Sequence, residues 1–189
     1  GLWHTEVAKH QVSLGHTRLS ILDLTDAGAQ PMHSKSGRWH IVFNGEIYNH
    51  LDLRKQYLSD HSFRGSSDTE TLLEAIDTLG IERTLPLLNG MFAFAVWDQQ
   101  EERLYLIRDP FGIKPLYYIL RDKEIFFASE VKVLEAMGFD LSPQKESLET
   151  LLALGFTPSP QTVFKDIVRL PPGHQLIFSK GQKEERCYI

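Results

Sequence analysis

Residues Met91, Phe92, Ala93, Phe94, Ala95, Val96 and Trp97 follow one another without a polar group, on a period of two. A strand with one wet face alternates apolar with polar. One that is apolar on both faces reads as a strand sandwiched between layers. Strand-like runs follow at 104–107, 116–120 and 125–129. They are separated by Asp109-Pro110-Phe111-Gly112 and by Arg121-Asp122-Lys123-Glu124, a spacing that predicts an antiparallel meander.

Upstream, Val12 and Leu14 alternate with polar neighbours, and the pattern continues through Leu19, Leu22 and Leu24 as a strand and then an extended segment. Residues 27–32 read as a loop, 34–37 as a turn and 39–43 as a further strand. Asn49 is placed to cap a helix carrying Leu51, Leu53, Tyr57 and Leu58. Ser67 and Glu70 form a capping-box pattern ahead of Leu72, Leu73, Ile76 and Leu79, which recur at helical spacing until Gly80. Pro86 restricts 81–88 to a short or bent helix. Residues 131–137 and 145–154, each closed by a glycine, read as helices. The proline-rich stretch 157–173 reads as loop, followed by a strand at 175–178 and a turn at 179–181. Strands in two groups with helices outside them predict an α+β sandwich.

The chain of 189 residues suffices for one well-packed domain. A net charge of −5 leaves no basic footprint for nucleic acid or an anionic membrane surface, so small-molecule or protein partners are expected. The longest apolar stretch, 90–97, is less than half of a membrane span. A single cysteine, Cys187, excludes an internal disulfide and fits a reducing compartment, so a cytoplasmic location is expected. The histidines fall in no His-x-x-x-His spacing, and no metal is expected in this chain.

Asn44-Gly45-Glu46-Ile47-Tyr48-Asn49 follows the 39–43 strand. Asn-Gly after an extended run is a hairpin-turn signal. It also sets a side-chain amide donor beside a residue that lets backbone approach closely, the two donors that a developing oxyanion needs. Taken by themselves, these residues favour the turn.

Separated segments match one family in order: His16-Thr17-Arg18-Leu19-Ser20-Ile21, Asn44-Gly45-Glu46-Ile47-Tyr48-Asn49, Ser67-Asp68-Thr69-Glu70 and Arg108-Asp109-Pro110-Phe111-Gly112-Ile113-Lys114-Pro115-Leu116-Tyr117-Tyr118. With Asn89-Gly90-Met91-Phe92, Phe127-Ala128-Ser129-Glu130 and Leu170-Pro171-Pro172-Gly173-His174, the match spans nearly the whole chain. It resembles the glutaminase domain of class II glutamine amidotransferases, in the branch of glutamine-hydrolysing asparagine synthetases. The resemblance implies an N-terminal-nucleophile fold, a four-layer αββα sandwich of two antiparallel sheets, over 1–189.

The resemblance also implies a glutamine site. Arg18 matches the family's carboxylate-binding arginine and Asp68 its ammonium-binding aspartate, pairings that suit the two charged groups of an amino acid. Leu19, Ser20, Ile21, Leu22, Asn44, Gly45 and Glu46 carry over as glutamine-binding, and Asn44 with Gly45 as the oxyanion hole. The family's nucleophile is an N-terminal cysteine, whereas this chain opens Gly1-Leu2-Trp3 and Cys187 is far from that position. The expectation is therefore a domain lacking its cysteine strand and inactive by itself. ATP and magnesium are expected for a C-terminal synthetase domain, which would amidate aspartate or another acceptor; a homodimer is left open. A glutamine-binding module without the nucleophile is the alternative from another class.

Overall fold

The computed structural model describes residues 1–7, 10–19 and 22–189. In chain order the elements are β1 (Leu2–Val7), β2 (His10–Gly15), β3 (Met32–His33), β4 (Trp39–Ile47), α1 (His50–Tyr57), α2 (Asp68–Leu79) and α3 (Ile81–Thr84). There follow β5 (Gly90–Asp98), β6 (Arg103–Arg108), β7 (Tyr117–Arg121), β8 (Glu124–Ala128), α4 (Val131–Ala136) and α5 (Lys145–Leu154). The chain closes with β9 (Val168–Arg169), β10 (His174–Ser179) and β11 (Gln182–Cys187).

Three clusters of buried side chains define the layers. In the first, Trp39, Ile41, Phe43, Ile47, Phe92, Phe94, Val96 and Ile107 from one sheet face meet Leu53, Leu72, Leu73 and Ile76 from α1 and α2. The opposite face of that sheet presents Val42, Ala93, Ala95, Trp97, Leu104, Leu106 and Leu176 to Leu14 of β2 and Tyr118 of β7. Behind β7 and β8, Ile119 and Ala128 pack on Leu134 of α4. The order is helices, sheet, sheet, helices, as period-two strands with two apolar faces require. The first sheet is six-stranded, β11-β10-β6-β5-β4-β3; the second layer holds a three-stranded sheet, β8-β7-β9, and the β1-β2 hairpin. All strand pairs are antiparallel.

The predicted meander breaks at one point. β5 pairs with β6 and β7 with β8, but β6 and β7 belong to different sheets. Asp109-Pro110-Phe111-Gly112 carries the chain from one sheet to the other. Asp109, fully buried, accepts the N–H groups of Phe111, Ile113 and Lys114, each at 3.0 Å. Arg108 donates to the carbonyls of Lys114, Gly112 and Leu170 at 2.7, 2.6 and 2.8 Å. Four strands are missing from the sequence reading: β1, then β3 and β9, which are too brief to show a period, and β11, which is charged at four of its six positions.

The helix starts divide. Ser67 caps α2, its Oγ accepting the Glu70 N–H at 3.2 Å, but Glu70 turns its carboxylate to the N–H groups of Arg64 and Gly65 rather than back to Ser67. Asn49 makes no side-chain cap for α1. It instead grips the 87–89 segment, donating to the Leu87 carbonyl and accepting from the Asn89 N–H.

Candidate active site

The hairpin reading of Asn44-Gly45 is overturned: both residues lie inside β4, opposite Ala93 and Phe92 of β5. A Cβ on Gly45 would press on the Met91 carbonyl oxygen and stand 2.7 Å from the Phe92 Cα, so the glycine is required by close backbone approach.

In an antiparallel ladder every second residue turns its N–H away from its partner strand. Phe43 does so, donating to Gln30 Oε1 at 2.6 Å, and Ile47 does so, donating to Asp68 Oδ2 at 2.8 Å. Gly45 sits midway between them and by the same alternation faces the same free edge. No described side chain takes its N–H.

This edge opens on a cavity of about 1340 Å³ between the two sheet layers. Arg18, Leu19, Leu22, Asn44, Gly45, Glu46 and Asp68 all line it. Ser20 and Ile21 lie outside the described residues. Asn44 points to this side of β4, its Nδ2 donating to Ser129 Oγ at 3.4 Å. Arg18 donates to the Thr25 carbonyl at 2.8 Å and to that of Asp23. Asp68 is buried; its Oδ1 accepts the Thr69 N–H at 2.9 Å, and burial pushes its carboxyl above the ordinary carboxylate range despite the two N–H bonds.

Four further residues, given no site role from the sequence, hold this arrangement. Gln30 mimics a strand partner for Phe43, its Nε2 returning to the Phe43 carbonyl at 3.3 Å. His16 Nε2 donates to the same carbonyl at 3.1 Å, so Nδ1 carries the lone pair; burial lowers its pKa. Ser129 orients the Asn44 amide. Asp23 bridges the loops leading to Arg18 and Asp68. Its Oδ1 takes the Thr25 N–H at 2.9 Å and hydroxyl at 2.6 Å, and its Oδ2 takes the Ser66 N–H at 2.8 Å. These bonds, that from the Thr25 hydroxyl foremost, lower its pKa to about 2. His16 and Ser129 stood inside the matched motif segments, while only their polarity within extended or loop-like stretches marked Asp23 and Gln30 in the sequence. Cys187 is exposed at the end of β11 and does not line the cavity. Among the described residues, no group of three or more His, Cys, Asp or Glu could hold a metal, and no helix is long and apolar enough to cross a membrane.

A guanidinium, a buried carboxylate, an amide N–H and an unclaimed backbone N–H around one cavity suit an amino acid bearing a reactive carbonyl. The chain matches the glutamine amidotransferase domain family over residues 1–189, and it belongs to that family, in the class II group. Within the class it is homologous to the N-terminal domains of glutamine-hydrolysing asparagine synthetases. Asparagine synthetase [glutamine-hydrolyzing] 1 of Bacillus subtilis is 39% identical over 176 residues, 93% of this chain and 27% of the relative. Amidase chry2 of Gibberella zeae is 34% identical over 186 residues, 98% of this chain and 27% of the relative. The chain thus spans about a quarter of the length of these curated relatives. Among solved structures, glutamine phosphoribosylpyrophosphate amidotransferase from B. subtilis superposes with a TM-score of 0.68 at 21% identity, covering 94% of this chain and 35% of that one. The allosteric regulatory enzyme of purine biosynthesis gives 0.64 at 20% identity, covering 91% and 34%. These neighbours show the N-terminal-nucleophile fold, in accord with the αββα layering.

Proposed function

We propose that this chain is the glutamine-hydrolysing domain of an amidotransferase of the asparagine synthetase type, releasing ammonia from the glutamine side-chain amide. One observation carries the reading: the Gly45 N–H is the unclaimed donor between Gln30 and Asp68 on the β4 edge, in the cavity that Arg18 and Asn44 also line. Arg18 pairs with the α-carboxylate and ionised Asp68 with the α-ammonium, which brings the amide carbon to Asn44 and Gly45. Leu19, Leu22 and Glu46 wall the side chain, and Ser20 and Ile21 are carried in the same role.

A thiolate attacks that carbon, and Asn44 Nδ2 and the Gly45 N–H meet the oxygen as it becomes an anion. Ammonia leaves, taking a proton, and water cleaves the thioester to glutamate. We assign the thiolate to a cysteine outside these 189 residues, carried on a strand that enters the cavity. Supporting this, residues 11–15 of β2 and 124–128 of β8 both border the cavity, and Val42, Ala93, Ala95 and Leu104 form its floor. Among the described residues, neither strand has a partner on its second side.

ATP, magnesium and the ammonia acceptor belong, on this reading, to a synthetase portion. Relatives bearing both asparagine synthetase and amidase names match this domain, so the acceptor is not written in it.

The test is glutamate release from this domain with a cysteine-bearing N-terminal strand placed ahead of Gly1. Arg18→Ala is expected to remove glutamine binding. The 189 residues alone are expected to release no glutamate; turnover by them that disappears in Cys187→Ser would overturn the assignment.

A further inference from the structure

Phe111 is 83% exposed and Ile113 57%, in a turn whose backbone is held more tightly than any loop facing solvent requires. Seven hydrogen bonds from the two buried side chains Arg108 and Asp109 fix it and anchor it to Phe92 and Leu170. A Cβ on Gly112 would meet Pro172 Cγ at 2.8 Å and the Arg108 guanidinium at 3.1 Å, so the turn is also packed from beneath. Apolar side chains on a mobile loop could fold inward. These two are held out rigidly, which lowers the entropic cost of burying them against something else.

The surface continues along the chain. Gly173 donates to the Asp109 carbonyl at 2.9 Å and accepts from Tyr188 N–H at 3.0 Å; Tyr188 Oη donates to the Arg108 carbonyl at 2.7 Å. Ile189, 71% exposed, lies over Gly173. Phe111, Ile113, Pro172 and Ile189 are thus carried by segments bonded to one another at the point where β11 leads out of the fold.

We propose that this patch is the docking surface for the synthetase portion of the protein, with Phe111 as its anchor. The proposal rests on the presence of that portion, argued above from relatives of which this chain covers 27%. An occupant connected close to Ile189 needs no span of linker to reach the patch, so its effective concentration there is high. Aromatic anchors on pre-organised backbone are what such contacts concentrate their energy on.

Two measurements on the full-length protein test it. In a Cys187→Ser background, Ile113→Cys is expected to react with a maleimide at least about tenfold more slowly than Leu152→Cys, a control on α5 at 85% exposure. Equal rates overturn the proposal, whatever the protein's activity. The second compares nitrogen sources in Phe111→Ser/Ile113→Ser. Glutamate release and amidation from added ammonia are expected to hold within about twofold, while amidation from glutamine falls about tenfold or more as the two portions part. An unchanged ratio of glutamate to amide also overturns it. A wild-type protein that makes no amide from either source removes the synthetase reading instead, and the labelling result then decides the surface alone.

Discussion

The carboxylate of Asp68, first residue of α2, accepts the backbone N–H of Ile47 at 2.8 Å, so a helix start is tied to the strand that carries Asn44 and Gly45. On the proposed reading, recognition of the charged end of glutamine and placement of its reacting end share this joint.

Glutamine affinity is expected to follow the ionisation of Asp68. Burial raises its carboxyl above the ordinary range, so ionisation costs stability as pH rises through the raised value, while the ligand's ammonium needs the ionised form. Calorimetric titration should show binding strengthen as pH rises from acid and level off. Asp68→Asn should lose about 2–5 kcal/mol of binding and the pH dependence with it. Unchanged affinity would leave Asp68 only its bonds to the Ile47 and Thr69 N–H groups.

Acid should loosen the site through Asp23. Its folded pKa is lowered to about 2, so it contributes stability that is present above the unfolded value and is lost as pH falls toward the folded one. Thermal melts between about pH 4 and 2 should steepen in wild type and flatten in Asp23→Asn. At neutral pH the same variant is expected to lose on the order of 1–3 kcal/mol, because Ser66 and Thr25 N–H groups lose a charged acceptor.

Asn44→Ala should lower kcat roughly 10²–10³-fold in the nucleophile-bearing protein, with KM little changed. Its side chain has one long bond, to Ser129 at 3.4 Å, so the melt should move little. A normal kcat would sink the oxyanion role.

Gly45→Ala separates backbone from side chain. The added methyl meets Met91 and Phe92 across the ladder, and a loss of about 1–3 kcal/mol is expected from overpacking, read as an earlier melt.

The layers were legible because Phe92, Phe94 and Val96 face one core while Ala93, Ala95 and Trp97 face another, a pattern that only a doubly covered strand needs. The β6-to-β7 switch was not, because it depends on what Arg108 and Asp109 bond across space, and spacing alone made 104–129 look continuous. Arg18, Asn44 and Asp68, which line the cavity, were named as candidates through motif resemblance. That Gly45 holds the free donor required knowing the ladder's phase, which Gln30 and Asp68 reveal only once folded. Asn44-Gly45 misleads as a turn because its glycine answers to a close strand neighbour.

The six-stranded sheet ends on one side at the two-residue β3 and on the other at β11, which places Lys183, Glu184, Glu185 and Arg186 in its exposed run. Such borders repel a stranger's backbone. β8 lacks that protection: Ile125, Phe126 and Phe127 run along a side with no neighbouring strand among the described residues. Aggregation of the domain should accordingly begin inside the groove between the layers rather than at the outer rim, and a short extended peptide seated there would act as its antidote.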